Sequence, residues 1–246
     1  MSDGEEEFLE IYDPAGFDRP SVAVDLVLMS VREKTLHALL LRRADQPAKG
    51  KWALPGGFVR IDEDLDAAAK RVLKAKAHLE SAYLEQLYSF GTLGRDPRMR
   101  VISVAYFALL PEEKFAQALH SAELTLAKIT TAWTGESGGP AEASTETEGR
   151  LSLAFDHADI LGLAVKRLRG KLDYSEIAFE LLPKQFALRE LQDVHEAILG
   201  VSFNKPAFRR RMLDKGNLKP TGHREEGVTF RPAELYRFSR KGNIHG

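Results

Sequence analysis

Short apolar runs separated by polar turns dominate the first half of the chain. Residues 22–30 (VAVDLVLMS) and 36–42 (LHALLLR) are joined by a polar stretch, and this pattern predicts two paired, buried strands. Two further β-rich segments, 83–93 and 99–110, flank a turn that contains glycine and proline. A sheet is therefore expected at the centre of the N-terminal part.

A helix interrupts this series of strands. Apolar residues recur at near-helical spacing from residue 64 to residue 79, and Asp62 or Asp64 is a suitable N-terminal cap. Before it, the sequence Pro-Gly-Gly at 55–57 breaks regular structure and lets the backbone approach another group closely. The predicted order is strand, glycine-rich turn, helix, strand.

The C-terminal part alternates helical and extended patterns. Helices are predicted over residues 156–171, 173–182, 188–199 and 206–216, followed by two extended stretches, LKPTG and AELYRFS. The last three helices and the hairpin describe a winged helix. We place the domain boundary near Gly170, so that residues 1–170 form one domain and residues 171–246 the other.

One segment of the first domain has a different composition. Residues 134–150 consist almost wholly of Gly, Ser, Thr, Pro, Ala and Glu. A segment with so few apolar side chains buries little surface to offset the entropy of ordering its backbone. We therefore predict a flexible insertion there.

Composition narrows the class of protein. The 246 residues are 43% hydrophobic and 29% charged, without cysteine, which favours two globular domains and excludes disulfides, thiol catalysis and iron–sulfur clusters. No apolar run reaches the roughly 18–20 residues that span a bilayer, and the N-terminus is acidic, unlike a signal peptide. We expect a cytoplasmic protein with no membrane partner.

Charge is distributed unevenly between the two ends of the chain. From Asn204 onward there are 11 Lys or Arg against four Asp or Glu, net +7, whereas the residues before Asn204 carry net −8. A basic segment on an acidic body is typical of a protein that binds a phosphate backbone through one part. A solvated basic tail explains the charge equally well.

The stretch from Gly57 to Leu79 resembles the signature of the Nudix hydrolases. Gly57, Glu63 and Arg71 fall on the spacing of that signature. The helical glutamates of the signature are missing, and their places are taken by Val72, Ala75 and Lys76.

The missing glutamates change the chemistry that the site can perform. Nudix enzymes cleave a pyrophosphate linkage with magnesium held by clustered carboxylates. Glu63 alone does not build such a cluster, and the ammonium of Lys76 repels a cation but attracts phosphate. We expect no catalytic residue, no metal site and no cofactor, but a retained nucleotide-shaped pocket.

Nearly the whole chain is similar to the Nudix-related transcriptional regulators of NAD metabolism, the NrtR type. The resemblance is carried by EQLYSFGTLGRDPRMRVISVAYFAL from Glu85, LAFDHADIL from Leu153, FRRRML from Phe208 and RPAELYRF from Arg231. It implies an α+β fold, an α/β/α Nudix sandwich with a mixed sheet, followed by a winged helix-turn-helix domain. It also implies a homodimeric repressor that binds palindromic, double-stranded operator DNA and releases it when ADP-ribose or a related nucleotide binds the Nudix domain.

The effector site is predicted from cations, glycines and one aromatic ring, because Arg and Lys suit a diphosphate and an aromatic covers a base. The candidates are Arg42, Arg43, Trp52, Gly56, Gly57, Arg71, Lys76, Arg95 and Arg98. A core position explains Trp52 at least as well. Asp156 and His157 are interpreted as cap and domain-contact residues.

The DNA-binding candidates lie on the predicted third helix of the winged helix and on its hairpin. An arginine on a recognition helix reads guanine or contacts phosphate, and a residue of the wing reaches the minor groove or phosphate. The candidates are Asn204, Lys205, Arg209, Arg210, Arg211, Lys219 and Arg231.

Two alternatives remain open on the sequence. The first is a Nudix-type nucleoside-diphosphate hydrolase with relocated metal ligands, for which the nearby carboxylates are Asp62, Asp64, Asp66 and Glu80. The second is a regulator of the same architecture that responds to a sugar, as a sister group with arabinose as effector does.

Overall fold

The structure, a computed structural model, describes residues 3–172, 175–227 and 232–239. Its N-terminal part is built on a mixed sheet that, within these residues, follows the order β5-β6-β1-β2-β7-β8-β9, with β3 beside β2 and β4 beside β1. The strands are β1 Ser21–Arg32, β2 Thr35–Arg42, β3 Trp52–Ala53, β4 Gly56–Phe58, β5 Glu85–Phe90, β6 Val101–Leu109, β7 Leu124–Thr131, β8 Ala141–Thr145 and β9 Gly149–Arg150.

Helices cover both faces of this sheet. The helices of this part are α1 Asp3–Ile11, α2 Leu65–Ala77 and α3 His157–Leu172. Strand β1 supplies both cores, because Leu26 and Leu28 pack with α2 on one face while Val27 and Met29 pack with α3 on the other. The strand pairs β1 with β6 in parallel and with β2 antiparallel, so the expected α/β/α sandwich with a mixed sheet is confirmed.

The predicted helix after the glycine turn is confirmed as α2. The Asp64 side chain caps it by accepting a hydrogen bond from the Ala67 N–H at 2.7 Å. At its other end His78 adopts a left-handed conformation with φ 54°, a position where glycine is the usual residue.

The C-terminal part forms the predicted winged helix. It contains β10 Phe186–Ala187, α4 Leu188–Leu199, α5 Lys205–Asp214, β11 Leu218–Arg224 and β12 Glu234–Phe238. Strands β10, β12 and β11 form a small antiparallel sheet in that order. Helix α5 begins after Asn204, whose side chain accepts from the Ala207 N–H at 3.1 Å.

The prediction of a helix over 173–182 is wrong. Residues 173–174 lie outside the described part of the chain, and the remainder holds only one short 3-10 segment, Ile177–Leu181. The apolar residues there follow tertiary packing, since the Phe179 ring stacks on Phe238 with centroids 4.2 Å apart.

The prediction of a flexible insertion over 134–150 is also wrong. Strand β8 pairs with β7 and buries Ala141 and Ala143, and β9 pairs with β8. The glycine-rich start of the segment lies against α3, where a Cβ atom on Gly162 would be 1.9 Å from the Gly139 carbonyl oxygen. Small residues here permit close packing of backbone on helix.

The two domains share a continuous core. One cluster of buried side chains continues from the sheet face beneath α3 into the winged helix, through Leu168, Leu172, Leu191, Ile198 and Phe208. The predicted boundary at Gly170 lies inside α3. Within the described residues, no helix is long and apolar enough to cross a membrane.

Candidate functional site

A cavity of about 410 Å³ opens beside β1, β2 and β4. The end of α2, the loop at 95–98 and the start of α3 complete its wall. Most predicted effector residues line it, namely Arg42, Arg43, Gly56, Gly57, Lys76, Arg95 and Arg98. The structure thus brings together side chains that the sequence distributes over 57 positions of the chain.

Trp52 lies outside this cavity. Its side chain is buried in the core, and its indole nitrogen is 3.4 Å from a Glu148 carboxylate oxygen. The aromatic rings that line the cavity are instead Phe58 and Phe155. The guanidinium of Arg43 lies 4.9 Å from the centroid of the Phe155 ring.

Arg71 also lies outside the cavity lining. Its guanidinium donates to both carboxylate oxygens of Glu63 and to the Phe58 carbonyl. The hydrogen bonds from Arg71 lower the pKa of Glu63 to about 2. Two of the three residues that match the Nudix spacing, Glu63 and Arg71, therefore bind each other.

The residues of the degenerate signature do not fit a magnesium cluster. Val72 is buried at 1% exposure, and Ala75 and Lys76 bring no carboxylate to the cavity. Nowhere in the described ranges do three or more His, Asp or Glu side chains converge as metal ligands would.

Three of the four carboxylates that the hydrolase alternative requires have other partners. Asp64 caps α2. Asp66 accepts a hydrogen bond from the Tyr106 hydroxyl at 2.8 Å. Glu80 accepts one from the Lys74 ammonium at 3.0 Å.

A buried polar network forms the base of the cavity. The Ser103 hydroxyl donates to Asp25 Oδ2 at 2.5 Å, and Arg95 lies 3.6 Å from the same oxygen. Arg95 also donates twice to Asp156, at 2.8 and 2.7 Å. Asp156 stands at the cap position before α3, where its carbonyl accepts from the Ile160 N–H at 3.1 Å. Its carboxylate anchors the predicted effector residue Arg95 to the start of α3.

His157 completes the network. The Leu54 N–H donates to its Nδ1 atom at 2.9 Å, so the neutral ring carries its proton on Nε2. Burial lowers the pKa of His157, while the nearby Asp25 and Asp156 oppose this effect. The interpretation of His157 as a domain-contact residue is wrong, because its side chain is a buried, neutral part of the cavity wall.

Stability should depend on pH through His157. Because the folded pKa lies below the unfolded value of about 6.5, the unfolded chain binds more protons below that pH. The free energy of unfolding should therefore fall as the pH drops from 7 towards 5. Urea unfolding should show a smaller fall in His157→Asn, whose amide oxygen can still accept from Leu54.

The matched control for this measurement is His120→Asn. The His120 side chain is exposed in the folded chain, so this variant should keep the pH dependence of the unmodified protein. A His157→Asn variant with an unchanged pH dependence would contradict the assignment.

Sequence reasoning missed Asp25 as a cavity residue and Ser103 as its buried partner. The available signal was a single acid in the apolar run VAVDLVLMS and a single serine in VISVAYFALL. A polar residue buried in a strand needs a partner, and in this fold the two partners are each other across the parallel pair β1 and β6.

Helix α3 connects the cavity to the winged helix. It begins at His157 in the cavity wall and ends at Leu172. Near its end, Arg169 donates to the Ile198 carbonyl at the end of α4 at 2.9 Å, and its guanidinium lies 4.7 Å from the Trp133 ring. Helix α3 therefore contacts the cavity at its start and the winged helix near its end.

The exposed face of α5 is a candidate nucleic-acid interface. Phe208 and Met212 are buried under the helix. Arg209 donates to the Tyr236 hydroxyl at 3.2 Å, and Arg211 stacks over the Phe203 ring at 5.2 Å. All three arginines are exposed, and Arg210 is the one for which the described residues show no such contact.

The other predicted DNA-binding residues surround this face. Lys205 and Lys219 are exposed, at the start of α5 and on β11. Asn204 serves as the cap of α5. Arg231 lies outside the described residues.

Comparisons with known proteins agree with this architecture. A NUDIX domain matches residues 19–134, and an NrtR DNA-binding winged helix domain matches residues 178–238. The chain is 38% identical over 237 residues to the ADPR responsive transcriptional repressor NtrR of Acinetobacter baylyi, a match that covers 96% of this chain and 88% of that protein. This chain belongs to the NrtR family.

A solved NrtR structure gives the same result. The crystal structure of Shewanella oneidensis NrtR complexed with a 27mer DNA is 30% identical, with a TM-score of 0.71, and the match covers 89% of this chain and 93% of that one. The expected Nudix domain with a C-terminal winged helix is confirmed.

The Nudix part also has an enzyme relative. The ADP-ribose pyrophosphatase of Methanocaldococcus jannaschii is 38% identical over 87 residues, which cover 35% of this chain and 49% of that protein. Membership of the NrtR family therefore does not by itself decide whether the chain hydrolyses a nucleotide. The residues of the degenerate Nudix signature bear on that question.

Proposed function

We propose that the chain is a transcriptional repressor that binds operator DNA through α5 and the β11–β12 hairpin and releases it when ADP-ribose occupies the cavity. The observation that carries the proposal is the match over 96% of the chain to a repressor described as ADPR responsive. The repressor acts as a homodimer on a palindromic operator in the cytoplasm, since dimeric helix-turn-helix proteins bind paired half-sites.

The cavity supports a nucleotide effector. Lys76 has no hydrogen bond or ion pair to any described residue, and Arg43 uses only its Nε atom, on the Pro47 carbonyl. These cations are available for a diphosphate. Phe58 and Phe155, each beside a guanidinium, take the role expected of Trp52 as the cover of a base.

Hydrolysis is not part of the proposed function. Three glutamates are replaced, Glu63 is bound by Arg71, and no cofactor is required for reversible binding. The chain therefore binds ADP-ribose without cleaving it.

Helix α3 supports coupling between the two sites. An effector that contacts Arg95 competes with the Arg95–Asp156 pair at the start of α3. A shift of α3 acts on α4 through Arg169. A ligand that prefers one position of α3 thereby changes the affinity for DNA.

The decisive experiment measures DNA binding with and without effector. A duplex selected from random DNA by the full chain is titrated with the protein in EDTA, and its fluorescence anisotropy is followed. ADP-ribose should weaken binding, and a sugar such as arabinose should have no effect. Release by the sugar alone would favour the sugar-responsive alternative.

Arg210→Ala should weaken operator binding about 10-fold or more, since one good base or phosphate contact contributes about 1–3 kcal/mol. ADP-ribose binding, measured by calorimetry, should stay unchanged. Arg60→Ala is the control, because Arg60 is exposed on the Nudix domain. Equal affinity for DNA in Arg210→Ala and the unmodified protein would remove Arg210 from the interface.

A further inference from the structure

An oxygen and a nitrogen at the base of the cavity face each other without a hydrogen bond. Asp25 Oδ1 lies 3.7 Å from His157 Nε2, and the two side chains are 10% and 5% exposed. This separation is too long for a hydrogen bond. Asp25 Oδ2, by contrast, already accepts from Ser103. Both residues line the cavity.

The two atoms have opposite hydrogen-bonding roles. The Leu54 N–H occupies His157 Nδ1, so Nε2–H is a donor that points away from the backbone. Asp25 Oδ1 is an acceptor. The cavity wall therefore presents one donor and one acceptor side by side, neither of them used by a described residue.

A hydroxyl group matches this pair. Its oxygen can lie about 2.8 Å from both atoms, donating its hydrogen to one and accepting from the other. A phosphate oxygen has no hydrogen to donate, and the Asp25 carboxylate repels it. Glycine at position 56 lets the Asp25 carboxylate take this place in the wall, since a Cβ atom there would be 2.3 Å from Oδ1.

We propose that Asp25 and His157 together bind a sugar hydroxyl of the effector, which donates to Asp25 Oδ1 and accepts from His157 Nε2. This inference rests on the proposed function, because it assigns the sugar of the nucleotide to this part of the cavity. The diphosphate is held by cations such as Lys76. Asp25 and His157 then select ligands with a sugar over ligands with phosphate alone.

Asp25→Asn tests the proposal through the direction in which the Kd of ADP-ribose changes. Ser103 and Arg95 keep the amide oxygen at the Oδ2 position, so the amide NH₂ takes the place of Oδ1 and opposes the donor of His157. Loss of a carboxylate should by charge alone tighten the binding of an anion. We expect the Kd of ADP-ribose to rise about 10-fold or more, while the Kd of inorganic pyrophosphate stays unchanged or falls.

The measurement is isothermal titration calorimetry of the full chain in EDTA. Asp159→Asn, an exposed position on α3, is the control for a generic change of charge and should bind both ligands like the unmodified protein. His157→Asn keeps the acceptor for Leu54 but loses Nε2–H, and it should also weaken ADP-ribose selectively. If Asp25→Asn does not fold, the measurements on His157→Asn test the proposal on their own.

Two results would overturn the proposal. In the first, Asp25→Asn and His157→Asn bind ADP-ribose as tightly as the unmodified chain. In the second, both variants lose affinity for ADP-ribose and pyrophosphate by the same factor, which a general disturbance of the cavity produces. If the unmodified chain itself fails to bind ADP-ribose, the proposed effector is wrong, and that failure is seen before any variant is measured.

Discussion

Gly162→Ala should destabilise the protein by about 1–3 kcal/mol, although alanine favours a helix over glycine by about 1 kcal/mol. The position is inside α3, and a Cβ atom there would lie 1.9 Å from the Gly139 carbonyl oxygen and 3.2 Å from the Ala141 nitrogen. Both contacts are with backbone, which has no other rotamer to adopt. The clash therefore outweighs the gain in helix propensity.

The same helix provides the control. Gly170→Ala places its Cβ atom 2.8 Å from the Glu136 carboxylate, the end of a flexible side chain that can move away. That variant should be as stable as the unmodified chain or slightly more stable. Urea unfolding of the two variants at pH 7 compares them directly, and equal midpoints would show that the backbone of residues 139–141 is not held against α3.

This glycine contact shows where sequence reasoning failed. The composition of residues 134–150 predicts disorder, because apolar side chains are few. The segment is ordered by close backbone packing, which depends on Gly162 lying 23 positions away in the chain from Gly139. A local pattern carries no information about such a partner.

The elements that sequence reasoning predicted correctly are the ones with a local cause. Three features depend on neighbouring residues alone: the short apolar runs of β1 and β2, the Asp64 cap of α2 and the pattern of α4. The incorrect helix over 173–182 has enough apolar residues, but its described part holds a short 3-10 segment in which Phe179 packs on Phe238. Tertiary contacts there override propensity.

The cavity residues also fall into two groups, those that the sequence predicts and those that only the fold brings together. Cations near the glycine turn could be predicted because their chemistry is visible in each residue alone. Asp25, Ser103 and His157 could not be assigned together, because β1, β6 and α3 bring them close only in the fold. Trp52 had suitable chemistry but faces the core.

Val72→Glu, which restores a glutamate of the Nudix signature, should cost roughly 3–5 kcal/mol of stability at pH 7, because it buries a charge without a partner. Val72 is 1% exposed and packs with Leu26, Leu73 and Val104 in the core between α2 and the sheet. Burial raises the pKa of such a carboxyl, so the folded variant binds more protons than the unfolded chain. The loss of stability should therefore shrink as the pH is lowered towards about 4.

Ala75→Glu separates this effect from the mere presence of a new glutamate on α2. Ala75 is exposed on the same helix, at the cavity, and the change there should stay within about 0.5 kcal/mol. Thermal and urea unfolding of both variants at pH 7 and pH 5 measure the difference. Comparable stability of the two variants at pH 7 would mean that the α2 core accepts a carboxylate. The expected result bears on the recovery of hydrolysis. The core beneath α2 does not accept a glutamate at position 72, and Glu63 is bound by Arg71. Regaining a magnesium cluster therefore requires repacking the domain as well as restoring the glutamates of the Nudix signature.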